Sequence, residues 1–336
     1  MVFSSFPFSF FSSILTLSFL PLTSSPSTIM GFRPDRDIPD LTGKTILITG
    51  GNVGLGKACV LEYARHKPDQ IWLAARNLTK AQAAADEIKQ QVPDAPIRLL
   101  ELDLTSFNSI KQAAQVFSTS SPRLDILMLN AGIMASPPGQ TQDGYEIQFG
   151  TNHMGHALLT KLLLPTLEQT AHTGADVRII SLASDGHSFA PPGGFQFDTL
   201  KTPGDSLGAF ARYGQSKLAN ILWTRQLAVE YPAFTIASIH PGVVSTNLLS
   251  GATDAPCFAR MSLQAANAIG LLATVEKGIR NQLWASVSPQ VKSGEYYEPV
   301  GVLGKAKATG KDMGLARKIW DWTEEELHGF LVQSAA

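Results

Sequence analysis

The chain has 336 residues, 44% of them hydrophobic and 16% charged, with a formal net charge of −1. That length suits one large α/β domain or two small ones, and the near-zero charge gives no electrostatic reason to expect a nucleic acid or an acidic partner. The two cysteines, Cys59 and Cys257, argue against a disulfide framework and for a reducing compartment, and no Cys/His cluster has zinc-site spacing, so no metal is expected.

Residues 1–27 contain no Lys, Arg, Asp or Glu and are rich in Phe, Ser and Leu. The stretch Phe6 to Leu22 could serve as a signal-peptide core or a short anchor. It lacks early positive charge and a small-x-small cleavage site, and Pro7, Pro21 and several serines make it a poor spanning helix. Residues 1–30 are therefore read as a leader, signal- or anchor-like or disordered, with membrane association left open and Met30 an alternative start. Residues 31–336 are expected to form a single catalytic domain, in the cytoplasm. Asn77-Leu78-Thr79 has the glycosylation pattern, but a glycan there would stand beside the cofactor phosphate in the arrangement below.

The first strand is expected at Thr45-Ile46-Leu47-Ile48, a short apolar run. It feeds the glycine turn Thr49-Gly50-Gly51-Asn52-Val53-Gly54-Leu55-Gly56, and a helix follows from Lys57. Strand, glycine turn and helix together are the context in which such a turn binds phosphate. Gly50 turns the chain out of the strand, Gly54 lets a pyrophosphate approach the backbone, and Gly56 lets the helix pack on the strand. Free N–H groups at the helix start attract the phosphates.

Further strands are expected at Gln70 to Arg76, Ile97 to Leu104, Leu124 to Leu129, Val177 to Leu182 and Thr235 to Ile239, with an edge strand at Glu295-Tyr296-Tyr297. Helices are expected at Lys80 to Gln91, Ser106 to Phe117, Asn152 to Thr166 with Pro165 near its end, Tyr213 to Glu230, Gln264 to Gly278, and Ala316 to Leu327. Trp320 and Trp322 give the last helix an aromatic face, turned to the domain or to a second subunit. Alternating strands and helices without a repeat or linker imply right-handed crossovers. The fold class is α/β: a single doubly wound parallel sheet, a Rossmann fold, with helices on both faces.

The end of the second strand bears on the cofactor. An acid there would bind the adenosine ribose hydroxyls, whereas an arginine accommodates a 2′-phosphate. Ala75 holds the acid's place and Arg76 follows, so NADP(H) is favoured over NAD(H), with a solvated surface arginine the plain alternative. Asp103, at the end of the third strand, is placed to contact the adenine edge, with a helix-capping carboxylate before Ser106 the plain alternative.

Tyr213 and Lys217 lie four apart on a helix and share a face. A phenol titrates near pH ~10 in water, and a neighbouring ammonium lowers that value. Such a phenol can exchange a proton near neutrality, a step worth ~10²–10⁴-fold in rate. Ser184, after the fifth strand, could donate a hydrogen bond to a substrate oxygen, with Ser181 a competing candidate. His153, His156, His172, His187 and His240 have no metal or triad spacing and are read as packing or surface residues.

Over roughly Leu41 to Val300 the chain resembles the short-chain dehydrogenases/reductases. The motifs fall in the family's order: the TGxxxGxG turn at Thr49 to Gly56, Asp103-Leu104, and Asn130-Ala131-Gly132, which matches the family's NNAG except that Leu129 replaces the first Asn. Asn152, Ser184, Tyr213 and Lys217 match the catalytic tetrad, and Pro241-Gly242 with Thr246 resembles the segment that holds the nicotinamide carboxamide. His240 to Asn247, Tyr213 to Asn220 and the long segment Asp185 to Arg212 look most like the retinol-dehydrogenase-like branch.

The resemblance implies a proton exchange at Tyr213, orientation of the substrate oxygen by Ser184, and a Lys217 that bonds the nicotinamide ribose and lowers the Tyr213 pKa. It also implies an Asn152 that helps hold a relay water. Cofactor contacts are implied at Gly50, Asn52, Gly54, Leu55, Gly56, Arg76, Asp103, Asn130, Ala131, Gly132, Tyr213, Lys217, Pro241, Val243 and Thr246. A substrate lid is implied near residues 248–264, where Phe258 and Met261 suggest a small hydrophobic alcohol or carbonyl substrate. Reduction of a ketone or aldehyde is the expected direction, in a biosynthetic pathway or elsewhere, and a homodimer or tetramer stays open. The rival readings are an epimerase or dehydratase relative, which usually carries TGxxGxxG where Val53 stands here, and a silent NADP(H) sensor, which commonly loses the Tyr or Lys kept here.

Overall fold

The computed structural model describes residues 31–244, 252–255, 261 and 272–333. Among these residues, seven strands form one sheet: β1 Thr45–Thr49, β2 Gln70–Ala75, β3 Ile97–Glu101, β4 Ile126–Leu129, β5 Arg178–Leu182, β6 Thr235–Ile239 and β7 Glu295–Tyr297. The order is β3-β2-β1-β4-β5-β6-β7 and every pair is parallel. β1, β4 and β5 are buried along their whole length, which is why they read as unbroken apolar runs rather than alternating ones.

The helices are α1 Gly54–Arg65, α2 Leu78–Lys89, α3 Phe107–Ser120, α4 Gly155–His172, α5 Ala209–Glu230, α6 Val275–Val287 and α7 Met313–Gln333. On one face of the sheet, Leu47, Trp72, Leu127, Ile179 and Ile236 join a core shared with α3, α4, α5 and α7. On the other face α1 meets α6, where the Tyr63 hydroxyl donates to Ser286 Oγ at 2.6 Å. This is the doubly wound arrangement expected. Because β1 lies between β2 and β4, the crossovers leave it in opposite directions, and a crevice opens at the carboxyl ends of β1 and β4. The glycine turn and Asn130-Ala131-Gly132 both fall there.

Several expected bounds move, each for a local reason. α5 begins at Ala209, four residues before Tyr213, with Gly208 as its N-cap. α4 is preceded by a turn at Ile147–Phe149 and a π-helical turn at Gly150–Met154, so Asn152 lies in the π turn rather than in regular helix. α4 also runs through Pro165 to His172. A proline forfeits one hydrogen bond inside a helix, but Leu163, Thr166, Leu167 and Thr170 are buried around it and hold the chain helical.

Of the helix expected at Gln264 to Gly278, residues 264–271 lie outside the described residues. The described part starts only at Val275, because Val244 pairs with Ala273 as a bridge and the Thr274 side chain caps the new helix at Lys277 N–H. The terminal helix is longer than expected, and its aromatic face turns inward: Trp322 packs edge-on against Tyr145 and Phe149, and Trp320 stacks on Trp223. Among the described residues no helix is long and apolar enough to cross a membrane. The leader, residues 1–30, lies outside them.

Candidate active site

The glycine turn is hydrogen-bonded to its surroundings at both ends. Gly50 N–H donates to Ala74 O of β2 at 2.8 Å, and Asn130 Nδ2 donates to Thr49 O at 2.8 Å. Gly50 and Gly54 have φ of +66° and +52°, in the left-handed region that glycine enters without penalty. A Cβ on Gly56 would lie 2.2 Å from Gly50 O and 2.6 Å from Asn130 Nδ2. α1 therefore starts so close to the turn that only a bare backbone fits. Its N-cap, Val53, offers no side-chain acceptor, which leaves the first N–H groups of α1 available to an anion. Leu55 and Val244 both pack onto Gly278, where a Cβ would stand 2.8 Å and 2.7 Å from the two side chains. The turn is thus joined to the segment Pro241 to Val244. These residues fit a dinucleotide phosphate group.

Arg76 follows β2, two residues beyond the Ala74 carbonyl that anchors the turn, and is exposed. Asp103 serves its own loop: its Oδ1 accepts from Thr105 N–H at 2.9 Å and from Thr105 Oγ1 at 2.8 Å. Ser106 caps α3 in its place. Val243 is half exposed, and its carbonyl accepts from Ala273 N–H. Thr246 lies outside the described residues, as does most of 248–264.

Ser184, Tyr213 and Lys217 converge at the carboxyl end of β5. A Cβ on Gly186 would lie 2.7 Å from the Tyr213 ring and 3.2 Å from Ser184 Oγ, so the missing side chain at 186 lets the phenol reach the serine. Ser181, the competing candidate, is buried inside β5. Lys217 Nζ donates to Leu182 O at 2.8 Å and lies 5.8 Å from the Tyr213 ring centroid. It also borders Gly132, where a Cβ would stand 3.5 Å away.

Burial pushes the Tyr213 phenol up to about 12, against the pull of the Ser184 hydroxyl. Burial also brings the Lys217 ammonium down to about 7. The expectation that Lys217 lowers the Tyr213 pKa is corrected accordingly. The group pulling the phenol down is Ser184, and desolvation, which disfavours both charged forms, outweighs it.

Asn152 is fully buried with its side chain committed. Oδ1 accepts from Ile133 N–H at 2.8 Å, while Nδ2 donates to Ile133 O and Ser216 Oγ, each at 2.9 Å. It thereby fixes the chain just after Gly132 against α5.

Other residues escaped the sequence reading. Thr49 Oγ1 accepts from Asn130 N–H and Ala131 N–H, so its own proton goes to His156 Nε2 at 2.9 Å. That leaves the ring proton of His156 on Nδ1, donated to Asn152 O at 3.0 Å. Burial holds this imidazole neutral, with its pKa down to about 3. His187 works similarly: Nε2 accepts from Lys307 N–H, so Nδ1–H donates to Ser184 O at 2.6 Å. Two histidines set aside as packing or surface groups therefore brace the backbones of Asn152 and Ser184. Asp185, His240 and Glu298 also gather, with ligand atoms within 4.8 Å of one another, a proximity that sequence spacing did not suggest. The buried Arg212 is a further residue missed. The residue before a Tyr carries no local sign of burial.

Residues 44–192 match the family model for short chain dehydrogenases. A short-chain dehydrogenase/reductase of Aspergillus calidoustus, drtF, is 38% identical over 86% of this chain and 95% of its own length. Human retinol dehydrogenase 13 is 35% identical over 83% of each chain. The crystal structure of an uncharacterised protein from Mycobacterium paratuberculosis superposes with a TM-score of 0.67 at 30% identity, covering 88% of this chain and 97% of that one.

Proposed function

We propose that this chain, which belongs to the short-chain dehydrogenase/reductase family and resembles its retinol-dehydrogenase-like members, is an NADP(H)-dependent reductase of hydrophobic ketones or aldehydes, with residues 31–336 as one catalytic domain. The observation that carries the reading is the convergence of Ser184, Tyr213 and Lys217 beside the glycine-turn crevice. When bound, the nicotinamide supplies the hydride that reaches the carbonyl carbon. Tyr213 gives its phenolic proton to the carbonyl oxygen, so that carbonyl, hydride and proton sum to the alcohol. Ser184 donates a hydrogen bond to the same oxygen as charge develops there. Lys217 would hold the nicotinamide ribose and resupply a proton to Tyr213, and Asn152 fixes the chain after Gly132 that borders Lys217.

Reduction is the direction an NADPH-dependent enzyme would run, and burial, which raises the Tyr213 phenol to about 12, keeps on it the proton that reduction would deliver. The cofactor follows from Arg76. Arg76 is exposed directly after β2, whose Ala74 carbonyl anchors the turn, with no acid at Ala75, which suits a 2′-phosphate and leaves an unmodified ribose without its usual acceptor.

Arg76→Glu tests the reading. It is expected to weaken NADPH binding by about 10- to 100-fold, the scale of a charged hydrogen bond, and to leave NADH binding nearly unchanged. Fluorescence titration with both cofactors measures this. Equal losses for the two would sink the assignment.

A further inference from the structure

Arg212 immediately precedes Tyr213 and is fully buried. Its guanidinium reaches four separate segments. Nη1 donates to Glu146 Oε1 at 3.2 Å, Nη2 to Ser136 O and to Asp254 Oδ2, each at 2.9 Å, and Nε to Leu207 O at 3.3 Å. A buried cation persists only when paired and hydrogen-bonded, and this one makes four such bonds.

The partners are not arbitrary. Glu146 accepts Phe149 N–H at 2.7 Å and so caps the turn that leads to Asn152. Ser136 lies four residues beyond Gly132, in the chain that borders Lys217. Gly204, with φ of +80°, makes room for the guanidinium stem: a Cβ there would lie 2.5 Å from Arg212 Cδ.

Asp254 belongs to residues 252–255, whose seat is defined independently. Asp254 N–H donates to Ala135 O at 2.9 Å. Ala252 and Ala255 pack with Ala135 and Ala209, and Met134 and Phe210 close over them. Phe210 in turn lies 5.6 Å, ring to ring, from Phe189, five residues past Ser184. Residues 252–255 thus complete an apolar surface between the Ser184 turn and the first turn of α5.

We propose that Arg212 is a positioning residue whose pairing with Asp254 seats residues 252–255 against the first turn of α5, the turn that leads into Tyr213, forming the apolar wall that receives the non-reacting part of the substrate. The substrate half of this statement rests on the carbonyl-reductase reading above. The seat itself does not. The wall selects an apolar carbonyl compound with an aromatic or branched body, because Met134, Phe210 and Phe189 offer rings and a thioether and no hydrogen-bond donor on their side chains.

The test uses the full chain with Asp254→Ala and Asp254→Glu, since Asp254 is half exposed and its loss leaves Arg212 still paired with Glu146. Hydrogen exchange of the amide at position 254 reads the seat without any turnover. NADPH oxidation with benzaldehyde and larger aromatic aldehydes and ketones reads the wall. In Asp254→Ala the amide is expected to lose protection by about tenfold and KM for the carbonyl to rise by about tenfold or more, the scale of a charged hydrogen bond. kcat and NADPH affinity should hold, and Asp254→Glu should recover most of both losses. Unchanged exchange in Asp254→Ala overturns the seat. Altered exchange with unchanged KM, or a fall in kcat alone, overturns the wall. If the unaltered chain reduces no carbonyl while binding NADPH, the reductase reading fails, the wall fails with it, and the exchange result alone judges the seat.

Discussion

Tyr213→Phe is expected to lower carbonyl reduction by about 10²- to 10⁴-fold, the usual contribution of a positioned acid, while NADPH binding is unchanged. The substitution removes one oxygen and leaves its surroundings intact. The ring keeps its place against Gly186, where the absent Cβ leaves room for it. Lys217 keeps its bond to Leu182 O, and Asn152 keeps its bonds to Ile133 and Ser216. What disappears is the proton above a carbonyl oxygen held by Ser184. Steady-state rates and a fluorescence titration on the same preparation separate the two effects, and retained turnover would refute the proton-donor role.

Gly56→Ala is expected to cost about 1–3 kcal/mol of stability, as overpacking does, and to abolish measurable NADPH binding at ordinary concentrations. The new methyl group would meet Gly50 O at 2.2 Å and Asn130 Nδ2 at 2.6 Å. The first is backbone, and the second is pinned to Thr49 O, so neither can swing aside. Relief requires α1 to withdraw from the turn, which carries its N–H groups away from the phosphate. Gly329→Ala is the matched control. A Cβ at Gly329 meets nothing within 4 Å, and alanine favours helix over glycine by about 1 kcal/mol. Thermal denaturation should show one protein destabilised and the other equal or improved.

The two substitutions show which parts of the molecule were legible in the sequence. β1, β4 and β5 are recognisable because both faces of a central parallel strand are covered, which forces continuous apolar runs. The glycine turn and the four-residue spacing of Tyr213 and Lys217 are local patterns set by backbone geometry. Ser184 was legible as a residue after a strand, its choice over Ser181 came from the family's motif order, and the fold, which buries Ser181 within β5, is consistent with that choice.

What stayed hidden depends on contacts across long sequence separations. Arg212 pairs with Glu146, 66 residues away, and Asp254, 42 away. His156 meets Thr49 across 107 residues. An Arg at the end of a Pro/Gly-rich segment reads as solvated unless its partners are known, and a His on an apolar helix reads as packing. The electrostatics were misread for the same reason. Spacing places an ammonium near a phenol, but only the fold shows that both are desolvated, which moves Tyr213 up and Lys217 down. The π turn at Asn152 and the passage of α4 through Pro165 likewise arise from tertiary packing that overrides local preference.

The central claim is that a dinucleotide whose phosphates sit at the glycine turn would deliver hydride from its nicotinamide to a carbonyl carbon held at Ser184 and Tyr213. The most direct measurement uses NADPH carrying deuterium at the transferable position of C4, with a panel of aromatic and branched aldehydes and ketones. The account predicts an alcohol product with deuterium on the carbinol carbon, formed by the unaltered chain and not by Tyr213→Phe. NADPH binding without deuterium transfer to any member of the panel would contradict it.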